Sequence, residues 1–262
     1  MRPYWAMLNA RFRALLQYRA AAVAGLATQI FWGLIRMMIF AAFFENAAGR
    51  SPMSKEHVIA YIWLGQAFWA MFPLRVDAEV AEMIRSGHVA YELLRPVDLY
   101  ALWFSRSIAA RVAPTLLRAG PILLVAVLAG WIGWTGPASL AACAASLLAA
   151  LLLSSAFAVL MTLSLFWTIS GRGLTHLITM AAYVLGGMVI PLPLFPDWLQ
   201  PVLNVLPFRG LVDVPFRLYT GHIPPAELPA MLAGQLGWAL ALILLGRWIL
   251  RRAARNLVVQ GG

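Results

Sequence analysis

The sequence has few charged residues and only one lysine. Charged residues make up 11% of the 262 residues and hydrophobic residues 62%, whereas a soluble domain has about 25% charged residues. This deficit indicates that most of the chain faces something other than water. The single lysine, Lys55, follows no glycine-rich turn, and a Walker-type phosphate loop ends in Gly-Lys-Ser/Thr. Any ATP-driven function would therefore need the ATPase of another chain.

Cysteine and histidine are also too sparse to build a metal or catalytic site. Cys143 is the only cysteine, which excludes an intrachain disulfide and a cysteine metal cluster. The four histidines (His57, His88, His176 and His222) are scattered without metal-ligand spacing. We expect no enzyme activity, no metal site and no cofactor bound by this chain itself.

The net charge of +10 raises the question of nucleic-acid binding. The arginines are dispersed among apolar segments, however, and no basic stretch is interleaved with polar residues as in a nucleic-acid surface. We expect no nucleic-acid partner. Arginine at the cytoplasmic flanks of membrane helices explains the charge better.

Six long apolar stretches recur from one end of the chain to the other. A helix of about 20 apolar residues crosses the hydrocarbon core of a bilayer. The sequence therefore predicts an all-α fold, a polytopic membrane protein with six transmembrane helices in one domain over residues 1–262. The six predicted spans are about residues 20–44, 57–74, 107–131, 138–168, 173–190 and 228–250.

Two further segments suit the membrane surface. In residues 2–19, Trp5, Leu8 and Phe12 recur at helical spacing, which predicts an amphipathic interfacial helix; a helical lead-in to the first span is the alternative. Residues 191–225 are apolar but rich in proline. Short re-entrant helices that dip back into the outer leaflet fit both features, provided that protein shields their backbone.

The distribution of arginine predicts the topology. Most arginines flank one side of the six predicted spans, and basic residues are enriched in cytoplasmic loops. We therefore expect both termini and residues 75–103 in the cytoplasm and residues 191–225 outside.

Arg36 is the only charge well inside a predicted span. It points into an internal cavity or snorkels toward the interface, and the sequence leaves both alternatives open. Gln29 lies seven residues earlier on the same helical face. With Gln66, these two residues form a candidate transport path. We expect Arg111 and Arg118 to snorkel toward the inner interface.

The most polar segment, residues 75–103, combines a short amphipathic helix, a turn at Gly87 and an exit through Leu93-Leu94-Arg95-Pro96. Such an element can press against a soluble partner and transmit its motion. A solvated connecting loop is the alternative.

This segment resembles the first cytoplasmic loop of type-2 ABC exporter permeases, the ABC-2 family, in which Ile-x-x-Gly and Leu-Leu-Arg-Pro follow the second span. The order of motifs farther along is also similar: Gly186-Gly187, then Ile190-Pro191, then Leu194 to Leu199, then Leu206-Pro207. The ending Val259-Gln260-Gly261-Gly262 is similar to a subgroup of small bacterial permeases of the drug/viologen-exporter type.

The resemblance implies a permease subunit of an ATP-binding cassette exporter in the bacterial cytoplasmic (inner) membrane. Such a subunit moves a hydrophobic or amphiphilic substrate out of the cytoplasm, as in multidrug efflux, while separate ABC ATPase subunits bind ATP and Mg. A second permease chain completes a homodimer or heterodimer. The alternative is a stand-alone secondary transporter or channel, but its usual signature of inverted repeats with helices broken at mid-membrane is missing from the sequence.

The resemblance also assigns candidate site residues. Residues 78–86 would be the coupling helix, with Glu79, Glu82 and Arg85 facing the ATPase. The full candidate coupling set is Glu79, Glu82, Met83, Arg85, Ser86, Gly87, His88, Glu92, Leu94, Arg95 and Pro96. The candidate outer gate consists of Gly186, Gly187, Pro191, Pro193, Pro196 and Trp198.

Overall fold

The computed structural model describes residues 2–16, 19–46, 51–73, 75–94, 96–168 and 171–255. Within these ranges the chain forms α-helices and short 3₁₀ turns and contains no β-strand. This confirms the predicted all-α fold.

The helices differ widely in length. In chain order they are α1 (Arg2–Leu16), α2 (Arg19–Asn46), α3 (Lys55–Ala67), α4 (Ala78–Arg85), α5 (Val89–Leu93), α6 (Leu99–Leu128), α7 (Pro137–Leu163), α8 (Arg172–Leu185), α9 (Gln200–Val205), α10 (Asp213–Thr220) and α11 (Leu228–Arg255). The 3₁₀ turns are Trp69–Met71, Ser164–Phe166, Leu192–Leu194, Pro207–Leu211 and Pro225–Glu227.

Among the described residues, four helices are long and apolar enough to cross a membrane. They are Gly25–Glu45 within α2, Leu99–Leu128, Pro137–Phe166 and Pro225–Arg255. The second and fifth predicted spans correspond to α3 and α8, which have 13 and 14 residues against the about 20 residues of a full crossing. The chain is therefore a multi-pass membrane protein, and the count of six crossings stays a prediction.

Helix α6 begins eight residues before the predicted third span. Asp98 caps its N-terminus, because the Asp98 Oδ1 atom accepts a hydrogen bond from the backbone N–H of Ala101 at 2.7 Å. The last part of the polar segment, residues 99–103, is thus the start of a long helix.

The main apolar core lies between α3, α6, α7 and α10. Trp63 is fully buried and stacks on Trp131, with 4.6 Å between ring centroids. Trp131 is half-buried, whereas the nearby Trp134 is strongly exposed. The stacking on Trp63 explains the difference, since it gives Trp131 a partner within the protein.

The proline-rich segment, residues 191–225, forms short helices and 3₁₀ turns rather than one continuous helix. Its longest helix, α10, is largely buried. Phe216 packs edge-on against Tyr61 of α3, with ring centroids 5.2 Å apart. The predicted short helices are present, whereas their re-entry into a membrane leaflet stays a prediction.

A second apolar cluster lies where α1, α4 and α5 meet α6. Val80, Val89, Trp103 and Leu163 are buried in it, and Met7 of α1 packs against it. The hydroxyl of Tyr4 accepts a hydrogen bond from the Asp98 N–H at 2.9 Å. These contacts join three short helices to the start of α6, and we call this region the α4 end.

Candidate coupling site

Asp77 fixes the start of α4. Its Oδ1 atom accepts hydrogen bonds from the backbone N–H groups of Glu79 at 3.0 Å and Val80 at 3.2 Å. An aspartate at this position satisfies N–H groups that have no partner within the helix. The cap gives α4 a fixed first residue and a fixed direction.

Four charged side chains then attach α4 to its neighbours. Arg106 of α6 donates from Nε and Nη2 to the two carboxylate oxygens of Asp77, each at 3.1 Å, and from Nη2 to Glu79 Oε2 at 2.7 Å. Arg11 of α1 donates to Glu79 Oε1 at 2.6 Å and lies 3.7 Å from Asp77. We call Arg11, Asp77, Glu79 and Arg106 the charge cluster.

The charge cluster favours the ionised carboxylates. Burial by itself would raise the pKa of Asp77, but the hydrogen bonds and positive charge of Arg106 outweigh it, so the pKa lies below its ordinary value. The pKa of Glu79 is lowered for the same reason, with Arg11 contributing. Two arginines facing two carboxylates make a locally neutral connection between α1, α4 and α6.

Both carboxylate oxygens of Glu79 are bound by arginines of this chain, while its side chain is exposed, and its contact with an ATPase stays a prediction. The sequence did not predict that Arg11 and Arg106 bind the Glu79 carboxylate. It also did not predict that Asp77 accepts a hydrogen bond from the Glu79 backbone. One signal was present: an aspartate directly before an amphipathic helical stretch is a typical N-cap.

The opposite side of α4 is open to solvent. Val80 and Ala81 are buried, whereas Glu82 and Arg85 are exposed and lie 3.9 Å apart as an i,i+3 ion pair. The hydroxyl of Ser86 donates to the Glu82 carbonyl. Gly87 then ends the helix as predicted, with a φ of +77° that only glycine adopts without strain. Glu82 and Arg85 are thus exposed charges that pair with each other, whereas the exposed Glu79 is bound by Arg11 and Arg106.

The remaining candidate coupling residues differ in their exposure to solvent. His88, Leu94 and Pro96 are exposed, and Met83 is half-buried against the second apolar cluster. Glu92 is buried and accepts a hydrogen bond from Trp103 Nε1 at 3.2 Å. It therefore holds α5 onto α6 rather than facing a partner. Arg95 lies outside the described residues.

The candidate transport-path residues lie inside the protein. Gln29 and Gln66 are buried. Arg36 is half-buried, and its Nη2 atom donates to the Tyr183 hydroxyl and to the Met188 carbonyl. These contacts direct the Arg36 side chain toward the end of α8, and the transport path stays a prediction.

Arg111 departs from its expected position. Its head group ends inside the protein, where it bonds to Ser107 and Ser154, and the residue is only 6% exposed. The expectation that it reaches the interface is wrong, because these serines supply nearer acceptors. Arg118 packs against Gly25 of α2. Ser107, one helical turn before Arg111, was the sequence signal for this arrangement.

The candidate gate residues are spread from the core to the surface. Gly186, Gly187 and Pro191 are buried, Pro193 is half-buried, and Pro196 and Trp198 are exposed. Gly187 has a φ of +89°, and a Cβ atom there would lie 2.4 Å from the Tyr61 hydroxyl. Glycine is thus required where the chain leaves α8 and passes α3.

Sequence reasoning also missed Asp213, a fully buried carboxylate at the start of α10. Its Oδ2 atom accepts a hydrogen bond from Arg217 Nη1 at 3.1 Å, and the Arg217 side chain is itself only 17% exposed. The i,i+4 spacing of an aspartate and an arginine was visible in the sequence. Its burial was not, because it depends on the packing of α10 against α3 and α7.

Comparison with known proteins places this arrangement in a family. A search of curated proteins finds no match. The model of the family described as ABC-2 family transporter protein matches residues 30–261, which include α3 to α11 and the whole candidate coupling set, whereas Arg11 of the charge cluster precedes the match. Since this match covers most of the sequence, the chain belongs to the ABC-2 transporter family.

Proposed function

We propose that this chain is the permease subunit of an ABC exporter. It moves a hydrophobic or amphiphilic substrate out of the cytoplasm, and a separate ABC ATPase hydrolyses the ATP. Membership of the ABC-2 family and the membrane-spanning helices support this function. The family implies an ABC ATPase partner in general, and ATP and Mg are bound by that partner.

The observation that carries the proposal is the two-sided attachment of α4. One side is joined to α1 and α6 by the charge cluster and by buried Val80 and Ala81, and the other presents Glu82 and Arg85 to solvent. A push on the exposed side is therefore transmitted to α6, whose helix is continuous to Leu128. Neighbouring His88, Tyr91 and Leu94 are also exposed and enlarge the surface available to the ATPase.

The proposed topology has six crossings. Helices α2, α6, α7 and α11 are full-length crossings, and α3 and α8 are shorter crossings completed by the turns that follow them. The membrane is the cytoplasmic (inner) membrane of a bacterium, and helix α1 lies at its inner interface. Both termini and the α4 end face the cytoplasm. The excess of arginine around this end supports the orientation.

The permease acts as a pair, with a second copy or a sister chain as partner. Helix α2 supports this, because only 11% of its membrane-crossing window is buried within one chain and Phe31 and Met38 on it are strongly exposed. The path lined by Gln29, Arg36 and Gln66 leads toward the proline-rich segment. Gly186, Gly187, Pro191, Pro193, Pro196 and Trp198 form the outer gate.

Reversing the exposed charges of α4 tests the proposal. The tagged chain is purified with the ATPase that accompanies it, and Glu82→Arg and Arg85→Glu are compared with the unaltered chain. Each should reduce the recovered ATPase about tenfold or more, because like charges facing each other across an interface cost several kcal/mol. The amount of permease in the membrane should not change.

Two controls separate docking from folding. Glu56→Arg reverses an exposed charge in the first turn of α3, outside the second apolar cluster that holds α4, and should leave ATPase recovery unchanged. The double variant Glu82→Arg/Arg85→Glu restores the ion pair within α4 but presents it reversed to the partner, so it should stay impaired. Full ATPase association and substrate-stimulated hydrolysis in both single variants would contradict the proposal.

A further inference from the structure

A cavity of about 460 Å³ lies beside the charge cluster, between α4, α6 and α7. Four arginines are among its lining residues: Arg11, Arg75, Arg111 and Arg118. Asp77 is the one acidic residue among the lining residues that the structure describes. Arg11 and Asp77 belong to the locally neutral charge cluster, so the excess of positive charge in the lining comes from its other arginines.

Arg111 is the most deeply placed of these arginines. Its Nε atom donates to Ser154 Oγ at 2.9 Å, and its Nη1 atom donates to the Ser107 carbonyl at 2.8 Å and to Ser107 Oγ at 2.7 Å. All of these acceptors are neutral. A guanidinium stays protonated in proteins, and a buried charge is costly unless a counter-charge accompanies it.

Asp77 does not supply that counter-charge. Its oxygens are bound by Arg106 and by the first N–H groups of α4. Among the described residues, no carboxylate lies within ion-pair distance of Arg111. The positive charge of Arg111 thus stands at the cavity wall with hydrogen bonds but without an opposite charge.

The rest of the lining is apolar. Trp69, Phe72, Trp103 and Pro114 form part of the wall. A ligand that fits must place an anionic group near Arg111 and apolar atoms against these rings. Guanidinium groups match the oxygens of phosphate in paired hydrogen bonds. The chemistry of the lining is therefore that of a phosphate-bearing amphiphile.

We propose that this cavity binds the phosphate headgroup of an anionic amphiphile, taken from the inner leaflet, with Arg111 as the principal counter-charge. Only the assignment of the inner leaflet as the source of this ligand rests on the proposed orientation of the chain. Binding itself requires neither the ATPase nor transport, so this proposal can fail while the permease function stands, and the reverse also holds.

Binding of short-chain lipids to the purified full-length chain in a non-ionic detergent tests the proposal. Dihexanoyl phosphatidate, which ends in a phosphate monoester, is compared by calorimetry with dihexanoyl phosphatidylcholine and with inorganic phosphate. The phosphatidate should bind about tenfold or more tightly than either, because only it offers both the full phosphate charge and the acyl chains.

Two pairs of variants locate the site. Arg111→Gln should weaken phosphatidate binding about tenfold or more, since a hydrogen-bonded charge is lost, and Arg251→Gln should leave it unchanged. Ala110 is exposed and lines the cavity. Ala110→Glu should repel the phosphate while Ala110→Gln should not, and this pair keeps Arg111 and its serine contacts in place if Arg111→Gln does not fold.

Three results would overturn the proposal. Equal affinity for phosphatidate and zwitterionic phosphatidylcholine would show that the net negative charge of the headgroup is not recognised. Equal affinity for phosphatidate and inorganic phosphate would show that the acyl chains contribute nothing to binding and that the ligand is a free phosphate ion. Unchanged phosphatidate binding in folded Arg111→Gln, or in Ala110→Glu, would place the site elsewhere.

Discussion

Helix α4 is attached to the protein mainly through charged side chains, whereas α10 is attached through buried apolar side chains around one carboxylate. In the charge cluster the side chain of Glu79 is 58% exposed and that of Arg11 is 29% exposed. Around α10, Asp213 is fully buried and Phe216 is 2% exposed. The same all-helical chain thus holds two short helices by contacts that differ in their access to water.

The difference matters for function, because water screens the Arg11–Glu79 contact of α4, whereas Arg106 and the ion pair of α10 are shielded from it. Exposed ion pairs contribute little each and respond to salt and pH. A buried pair is costly to break, since either partner alone is left as an uncompensated charge. In the proposed function α4 must move with the ATPase, and solvent-accessible ion pairs suit such movement. Helix α10 belongs to the segment of the proposed outer gate, and a buried ion pair suits a helix that holds its position there.

The largest effect should come from Asp213→Asn. Removing this charge leaves Arg217 buried without its partner, which should lower the free energy of unfolding by about 3 kcal/mol or more. Thermal unfolding of the detergent-purified variant measures the loss. Asp197→Asn changes an exposed carboxylate in the same segment and should leave the melting temperature unchanged. If both variants melt alike, the α10 attachment does not depend on the buried pair.

A smaller loss is expected for Arg106→Gln, which removes three hydrogen bonds to Asp77 and Glu79. We expect about 2 kcal/mol, because hydrogen bonds to charged groups contribute about 1.5–3 kcal/mol. Limited proteolysis should also cut residues 75–103 faster. Arg11→Gln is the matched comparison, with an effect below about 1 kcal/mol as for an exposed ion pair. Equal losses in the two variants would contradict the assignment of Arg106 as the main anchor.

Acid should weaken the charge cluster that attaches α4 to α1 and α6. The pKa values of Asp77 and Glu79 lie below their ordinary values of 3.8 and 4.5. Their stabilising contribution is therefore complete above about pH 4.5 and disappears as the pH falls through the lowered folded-state pKa values. Melting temperatures measured across this range should fall less steeply for Asp77→Asn/Glu79→Gln than for the unaltered chain. Parallel acid profiles would refute the ionic attachment of α4.

The smallest effect is expected for Gly87→Ala, at about 1 kcal/mol, because alanine must adopt the positive φ of this position. Open space surrounds Gly87, so the effect comes from the backbone alone. Gly173→Ala, another glycine with open space around it but without a positive φ, should not destabilise the chain. A chain that tolerates both changes equally would show that the end of α4 is not fixed by this turn.

Hydropathy was sufficient to predict the long helices. Residues 138–168 and 228–250 match α7 and α11 closely because both are apolar over their whole length. Hydropathy was less informative for α3 and α8, because these helices end before the predicted spans do. The chain bends there, at the 3₁₀ turn after Phe68 and at Gly187. The start of α6 depended on one capping contact of Asp98.

The candidate site was predicted as a segment but not as a set of contacts. The amphipathic pattern of residues 78–86 and the turn at Gly87 located α4. The partners of Asp77 and Glu79 lie 27 to 68 residues away in the sequence, and no local pattern specifies such pairings. Arg111 was misplaced for a related reason, because Ser154 reaches it from α7.

The central claim is that the exposed side of α4 receives the ATPase. A photo-crosslinking amino acid at position 82, introduced in intact cells, tests it most directly, with the exposed position 198 in the proline-rich segment as the comparison. The account predicts a permease–ATPase adduct from position 82 and none from position 198. An adduct from position 198 instead, or labelling of position 82 by a membrane-impermeant reagent added outside the cells, would contradict it.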